Sequence, residues 1–405
     1  MRNPYVLPFV FITSLFFMWG LAISMLDVLN KHFQDILQVS KAQSGLVQLA
    51  VYGSYFIIAL PAGQFLRRFG YHKGILVGLS LYAIGAFLFY PVAQVAVFGF
   101  FIAALFVMGC GLAIIETAAN PYVTILGDPD GAAQRLNLAQ SFNGLGVILG
   151  PLIGGLVLFS ESESVSAITL TAIQLPYLAI GGLVTVLFVV FLFINLPEVG
   201  GDGVVTSKVE VSYQEVPIRL FKQRHFVYGI IAQFFYIGAQ AGIWGFFINY
   251  AVEEVSGITS QRAAFYLSGA MMLYTVGRFS GAWLMRYIQP AKLLMVYALV
   301  ALVAMAIVLL NMGMISVYAL MLSCFCMSIM FPTIFSLGIQ NLGMETKRAG
   351  SFMIMSIVGG AVIPPLMGLV ADQYQMSWSF LLPAVCFMIV ARYGWIMLKS
   401  LVQNV

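Results

Sequence analysis

Charged residues are scarce in this chain. Of its 405 residues 8% are charged and 61% are hydrophobic, whereas soluble domains are about 25% charged. A soluble protein could not hide this much apolar surface, so the composition predicts an all-α, polytopic membrane protein whose helices face the lipid bilayer. The net charge of +4 does not imply nucleic-acid binding, and we expect none.

Cysteine is also rare, and its placement argues against several kinds of site. The four cysteines lie inside apolar runs, so neither a disulfide framework nor a metal cluster is expected. Cys324 and Cys326 are two residues apart and would point to different faces of a helix. The sequence contains no phosphate loop, nucleophile elbow or metal-ligand spacing. We therefore expect no cofactor and no enzymatic activity.

Twelve apolar segments follow one another along the chain, each long enough to cross about 30 Å of hydrocarbon. One long polar stretch, 197–224, separates the first six from the last six. This predicts an N-terminal half (1–196), a cytoplasmic linker (197–224) with a short surface helix near 213–222, and a C-terminal half (225–405). The segments are 5–30, 42–66, 74–92, 95–126, 134–160, 172–196, 225–252, 261–287, 292–311, 314–341, 349–371 and 376–399.

Lysine and arginine are unevenly distributed between the gaps. With both termini in the cytoplasm, fourteen lie on the cytoplasmic side, three lie outside, and Arg278 and Arg392 remain within segments. Cytoplasmic loops of membrane proteins are rich in basic residues, so this predicts an inner-membrane protein with cytoplasmic termini. Arg67, Arg68 and Arg286 are expected to clamp the cytoplasmic ends of the helices. Arg278 either extends to that face or pairs across the interface of the halves.

The two halves share a repeated pattern. At an offset of 218, residues 16–20 match 234–238 and residues 63–68 match 281–286. At an offset of 213, Arg135, Gly146 and Pro151 fall on Arg348, Gly359 and Pro364. The matches occur in order at nearly one offset, which indicates duplication. Each half has an even number of segments, so the halves should lie parallel, as in transporters with a central site.

Two acidic residues lie inside apolar segments. Asp27 is in the first segment and Glu116 is in the fourth, while the other acids fall in gaps or at segment ends. A carboxylate in hydrocarbon costs at least about 2.5 kcal/mol, and it usually faces a partner or an aqueous path. Our hypothesis is that both acids carry protons, with Asp27 in the outer half of the membrane and Glu116 deeper. The alternative is a structural hydrogen-bonding role.

Polar side chains recur on three further segments. Amides can donate and accept, which suits recognition of hydroxyl groups, and an aromatic face can stack on a sugar ring. The alternatives are interhelical hydrogen bonding and ordinary helix packing. The candidate substrate-binding residues are Asn120, Gln140, Asn143, Tyr236, Gln240 and Trp244.

Two sets of motifs carry a resemblance. Residues 63–73, GQFLRRFGYHK, partly match the loop signature of the major facilitator superfamily, although Arg67 stands at its Asp position. More specifically, ETAANPYVTILG (116–127), RLNLAQSFNGLG (135–146), AQFFYIGAQ (232–240), YAVEE (250–254) and FPTIFSLGIQNLG (331–343) resemble the fucose–galactose–glucose:proton symporter family.

That resemblance implies twelve helices, alternating access, a sugar substrate and proton coupling. It also implies that the functional acids of helices 1 and 4 fall on Asp27 and Glu116. The asparagine-rich stretch that precedes the helix 1 acid in fucose permease is here Ile-Ser-Met-Leu (23–26), so fucose does not follow as the substrate.

We therefore expect a proton-coupled monosaccharide importer that works as a monomer. A sodium-coupled sugar symporter and a proton-driven drug or solute exporter are the alternatives with this fold. A membrane sensor would bind sugar without flux, and a membrane enzyme is disfavoured because nothing nucleophilic or metal-binding is assembled.

Overall fold

The chain folds into long α-helices. The structure, a computed structural model, describes residues 6–125, 132–158, 171–194, 220–340, 342 and 346–403. The helices of this part are α1 (Val6–Leu37), α2 (Lys41–Ser44), α3 (Leu46–Val95), α4 (Phe98–Ile125), α5 (Ala132–Ile153), α6 (Thr171–Phe193), α7 (Arg224–Glu254), α8 (Ser260–Leu284), α9 (Pro290–Leu309), α10 (Met314–Met327), α11 (Met330–Ile339), α12 (Thr346–Met355), α13 (Gly359–Gln373), α14 (Met376–Ser379) and α15 (Leu381–Gln403).

The helices account for the twelve predicted segments. Eleven stretches of the described chain are long and apolar enough to cross a membrane. The twelfth is α8, which has 25 residues but is less apolar because it contains Arg262 and Arg278. The all-α fold class is confirmed. The predicted linker lies largely outside the described residues, which begin again with a short 3₁₀ helix, Leu220–Lys222.

Several boundaries differ from the prediction. The first segment was expected to end at residue 30, but α1 continues to Leu37, where Lys31 and Asp35 pair one turn apart at 2.8 Å. The tenth segment is split into α10 and α11. Pro332 has no N–H to donate to the carbonyl of residue 328, which accounts for this break. The second and third segments join in α3 at Gly70, whose φ of 84° suits glycine.

Equivalent helix pairs in the two halves pack through glycine. A Cβ on Gly146 of α5 would lie 2.2 Å from the carbonyl oxygen of Phe17 in α1, and one on Gly359 of α13 would lie 1.8 Å from that of Phe234 in α7. Gly146 and Gly359 are the pair matched by the offset of 213. Both helix pairs therefore approach too closely for any side chain at this position.

The halves meet where α1 contacts α7, where α5 contacts α8, and where α13 contacts α2 and α3. We call the side of the bundle at which α1 begins the near face, and the side at which α1 ends the far face. Asn30 and Gln34 of α1 bond to residues 245 and 249 of α7, so these two helices run in the same direction. The interface between the halves positions the polar site described next.

Candidate functional site

Glu116 lies where two sets of polar side chains meet. Its side chain is 7% exposed and lies beside those of Tyr55 and Asn120. The Tyr55 hydroxyl in turn accepts a hydrogen bond from Nε1 of Trp19. Glu116 Oε2 has no further partner among the described residues. One carboxyl group of α4 thus joins side chains from α1 and α3.

The second chain begins at a cation in the opposite half. Arg278 of α8 donates to Oε1 of Gln140 in α5 at 3.3 Å and to the Gln140 carbonyl at 3.0 Å. Gln140 Nε2 donates to Oδ1 of Asn120 at 3.2 Å, and Asn120 lies beside Glu116. The donors of both bonds therefore point from Arg278 towards Asn120 and Glu116. Successive bonds of one direction polarise one another in a low-dielectric interior.

Tyr274 organises the part of the site that belongs to the C-terminal half. Its hydroxyl accepts from Arg278 at 2.7 Å and from Nε2 of Gln240 at 3.1 Å. The Arg278 guanidinium lies 4.8 Å from the centre of the Tyr274 ring. The Trp244 ring meets the same ring edge to face at 5.1 Å and 87°. Gln240 and Trp244, predicted from the sequence, are therefore joined to Arg278 through a tyrosine that was not predicted.

Asp27 is also buried. Its side chain is 3% exposed, and Oδ2 has no hydrogen-bond partner among the described residues. It is close enough to Tyr52 and to Cys324 of the opposite half to interact electrostatically. Asp27 is ten residues from the far end of α1, and Glu116 is nine residues from the near end of α4. The two acids thus lie on either side of the middle of the bundle.

Two predicted substrate-binding residues bond instead to neighbouring helices. Asn143 Nδ2 donates to the carbonyl of Phe16 at 3.4 Å, where α5 packs on α1. The Tyr236 hydroxyl donates to the carbonyl of Met327 at 3.0 Å, although its side chain also lies beside Tyr274. These contacts are of the interhelical kind that the sequence left open. Gln233, one turn before Tyr236, is buried with neither amide atom bonded in the described structure.

The described side chains of the predicted basic clamp, Arg68 and Arg286, form no ion pair, and the clamp remains a prediction. Arg68 and Arg286 are exposed, and Arg68 lies 5.2 Å from the Phe69 ring. The two ion pairs of the described structure, Lys31–Asp35 and Lys41–Glu253, involve neither residue. The side chain of Arg67 lies outside the described residues.

Several residues of the site escaped the sequence analysis. Trp19, Tyr55 and Tyr274 lie in apolar segments, where an aromatic residue most often serves packing. Tyr274 alone carried a usable signal, because it precedes Arg278 by one helical turn and shares its face. Glu253, near the end of α7, pairs with Lys41 of the other half at 2.7 Å.

A family model and the sequences of known transporters both match most of this chain. The family model of the Major Facilitator Superfamily matches residues 10–353. The chain is 38% identical over 405 residues to the L-fucose-proton symporter of Escherichia coli (strain K12), covering 96% of this chain and 92% of that protein. It is also 38% identical over 396 residues to a glucose/galactose transporter of Brucella abortus biovar 1 (strain 9-941), covering 96% and 93%.

Solved structures share the fold. The transporter FucP, crystallised in the outward conformation, superposes with a TM-score of 0.73 at 37% identity, covering 97% of this chain and 99% of that one. A bacterial homologue of the human lysosomal transporter Spinster, in an inward-facing conformation, gives a TM-score of 0.79 at 14% identity, with 100% and 99% covered. The second likeness concerns the fold alone.

Proposed function

Since this chain belongs to the Major Facilitator Superfamily, we propose that it is a proton-coupled importer of a monosaccharide that works by alternating access between its two halves. The relatives named as an L-fucose-proton symporter and as a glucose/galactose transporter support this proposal. The observation that carries it is the hydrogen-bonded chain from Arg278 through Gln140 to Asn120, because it connects a cation of one half with the surroundings of the buried Glu116 in the other.

The near face is assigned to the cytoplasm. The excess of lysine and arginine in the gaps on that side supports cytoplasmic termini, by the rule that such residues remain inside. Asp27 then lies towards the outside and Glu116 towards the cytoplasm, so a proton would meet Asp27 first on its way in. The two halves of one chain together supply the candidate site, and we expect a monomer to be the working unit.

Protonation of Glu116 would act on the contact between the halves. As a carboxylate, Glu116 can accept from both Tyr55 and Asn120 at once. As a carboxylic acid it is uncharged, so hydrogen bonds that it accepts are no longer charge-assisted and become weaker. Loading a proton therefore loosens the chain that leads through Asn120 and Gln140 to Arg278. This is how proton binding would favour movement of one half against the other.

Sugar recognition is assigned to the amide and aromatic groups that meet at Tyr274. Gln140 and Gln240 lie on opposite halves and both reach this cluster, while Trp244 offers an aromatic surface. Gln233 has donor and acceptor atoms without partners in the described structure. Hydroxyl groups of a sugar can take the place of the bonds that now join these side chains.

The test is transport by purified protein in proteoliposomes. D-Glucose, D-galactose and L-fucose are offered in turn under an imposed pH gradient, and we expect at least one to accumulate and to carry protons with it. Replacing external Na⁺ by K⁺ should leave uptake unchanged; dependence on Na⁺ would assign the alternative coupling ion. Failure of all three sugars to accumulate would contradict the proposal.

The acids are tested in the same system. Asp27→Asn and Glu116→Gln should abolish uphill uptake, because neither amide can bind and release a proton. Glu116→Gln should still exchange internal for external sugar, since an amide can accept from Tyr55. The matched control is Asp35→Asn on α1, because Asp35 pairs only with Lys31 on its own helix. If both acid variants concentrate sugar like the unchanged protein, the proton pathway is wrong.

A further inference from the structure

Four amide side chains form a buried layer between the halves on the far side of Asp27. Asn30 and Gln34 come from α1, Gln48 from α3 and Asn249 from α7, and we call this set the amide layer. Asn30, Gln48 and Asn249 are each at most 1% exposed. Asn30 follows Asp27 by three residues, so the two side chains share a helix face. The layer therefore lies between the acid and the far face.

The layer closes the far side of the structure. Asn30 Nδ2 donates to the carbonyl of Gly245, and Asn249 Nδ2 donates to Oε1 of Gln34. Gln48 is packed against Gly245, which has no side chain to exclude it. Further out, the Lys41–Glu253 ion pair also joins the halves. Next to this ion pair, Asp372 of α13 accepts hydrogen bonds from the backbone N–H groups of residues 41 and 42 at 2.9 and 2.8 Å.

Closing the far side with amide side chains carries a cost in free energy, because several of their atoms are buried without hydrogen-bond partners. Both amide atoms of Gln48, Oδ1 of Asn30 and Oδ1 of Asn249 lack hydrogen-bond partners within the described structure. A buried polar atom left without a partner costs about 1–3 kcal/mol. Leucine or valine would close the same gap without this cost. The hydrogen-bonding capacity of the layer is therefore unused in this state and becomes usable in another.

That other state is the one with the far face open. When α1 and α7 separate there, the bonds from Asn30 to Gly245 and from Gln34 to Asn249 must break, because each joins the two halves. The four amides then line the passage on the far side of Asp27, with Asn30 about one helical turn beyond it and Gln34 about two. Each amide presents donors and an acceptor, which is the complement of a molecule rich in hydroxyl groups.

We propose that the amide layer is a second, outer subsite for the monosaccharide, which binds there through its hydroxyl groups before it reaches the cluster around Tyr274. This inference rests on the proposed function and adds a specificity-determining step to it. It assigns roles to Asn30, Gln34, Gln48 and Asn249, none of which belongs to the inner site. The competing role is purely structural, in which the amides only hold the closed halves in register.

Direction of transport separates the two roles. Intact cells present the far face to external sugar, and inside-out vesicles present the near face; the probe is whichever of D-glucose, D-galactose and L-fucose the unchanged protein accumulates best. We expect Gln48→Leu and Asn30→Leu to raise KM for uptake from the far face at least fivefold. KM from the near face should change less than twofold. The matched control is Gln174→Leu, an amide that joins α6 to the Tyr90 carbonyl within one half and should change neither.

A structural role predicts a different result. If the amides only keep the closed halves aligned, their loss would change the maximal rate in both directions and leave the far-face KM unchanged. That outcome would overturn the outer subsite. If a leucine variant does not reach the membrane, Gln48→Asn replaces it, since this keeps the amide but shortens its reach by one methylene. The same rise in KM is expected from it, and an unchanged KM again contradicts the subsite.

Chemical labelling gives an independent measurement. Gln48→Cys, in a protein whose four native cysteines are replaced, should react with a membrane-impermeant maleimide from the far face, and saturating sugar should slow this reaction several-fold. Gln43→Cys, exposed on α2, should react at the same rate with and without sugar. If no sugar accumulates in the unchanged protein, the proposed function fails. The subsite is then decided by whether sugar slows the labelling of residue 48. If sugar accumulates but does not protect residue 48, only the subsite fails.

Discussion

Alanine at either of two equivalent glycines should destabilise the fold. A Cβ at Gly146 would lie 2.2 Å from the Phe17 oxygen, and one at Gly359 would lie 1.8 Å from the Phe234 oxygen. Real Cβ atoms essentially never come within 3.0 Å of another heavy atom, so the helices must separate by about 1 Å. The obstructing atoms belong to helical backbone and cannot turn aside like the end of a side chain.

The expected size follows from two opposed terms. Extra atoms in a well-packed interior cost typically about 1–3 kcal/mol, and an overlap with backbone lies at the upper end of that range. Replacing a helical glycine by alanine returns about 0.5–1 kcal/mol of chain entropy. The net loss should be about 2–2.5 kcal/mol for each variant. Gly359→Ala should be the more damaging because its overlap is the deeper.

Thermal unfolding in detergent measures this effect. Purified Gly146→Ala and Gly359→Ala should both lose their monodisperse peak at temperatures several degrees below that of the unchanged protein. Gly182→Ala on α6 is the matched control, because nothing lies within 4 Å of its added Cβ and the entropy gain should leave it equally stable or slightly more so. If Gly146→Ala or Gly359→Ala melts like this control, the close approach of the helix pairs is wrong.

Two further predictions concern charges between the halves. Arg278→Met removes the donor at 3.0 Å from the Gln140 carbonyl and at 2.7 Å from the Tyr274 hydroxyl. Hydrogen bonds to charged groups contribute about 1.5–3 kcal/mol each, and partial exposure lowers this, so active uptake in proteoliposomes should fall at least tenfold. Arg278→Lys keeps the charge but not the forked geometry and should fall in between; full activity of Arg278→Met would refute the role of the chain. Lys41→Gln breaks an ion pair whose side chains are 20% and 32% exposed. Such pairs are worth about 0–1 kcal/mol, so the melting temperature should shift by a degree or two at most, and a larger shift would assign the far-face closure to this pair.

Much of the architecture was readable from the sequence because lipid imposes a simple rule. A helix that crosses hydrocarbon must be long and apolar, so the segments could be counted without knowledge of their packing. The exceptions have local causes. Charged residues after Asn30 suggested the end of a segment, but α1 continues because Lys31 and Asp35 satisfy each other and Gln34 bonds to α7.

The candidate site was only partly readable. Asp27 and Glu116 could be recognised because charge inside hydrocarbon is costly. Gln140 and Gln240 could be recognised because amide side chains are uncommon inside membrane-spanning segments. Tyr55 and Tyr274 did not stand out, since a tyrosine in an apolar segment is as consistent with packing as with a hydrogen-bonded role. The amide layer was missed for a different reason. Its members come from three separate helices, and no spacing along the chain brings Gln48 near Gly245.

The sequence by itself predicted twelve apolar segments, a repeat in two halves and two acids inside the segments. These follow from composition and order along the chain, because burial in lipid acts on each helix separately. Only the tertiary structure decided that the donors run from Arg278 through Gln140 to Asn120 and that amides without partners lie between the halves at the far face. Those features depend on contacts between residues up to 215 positions apart, and their direction is set by how the helices are rotated against one another.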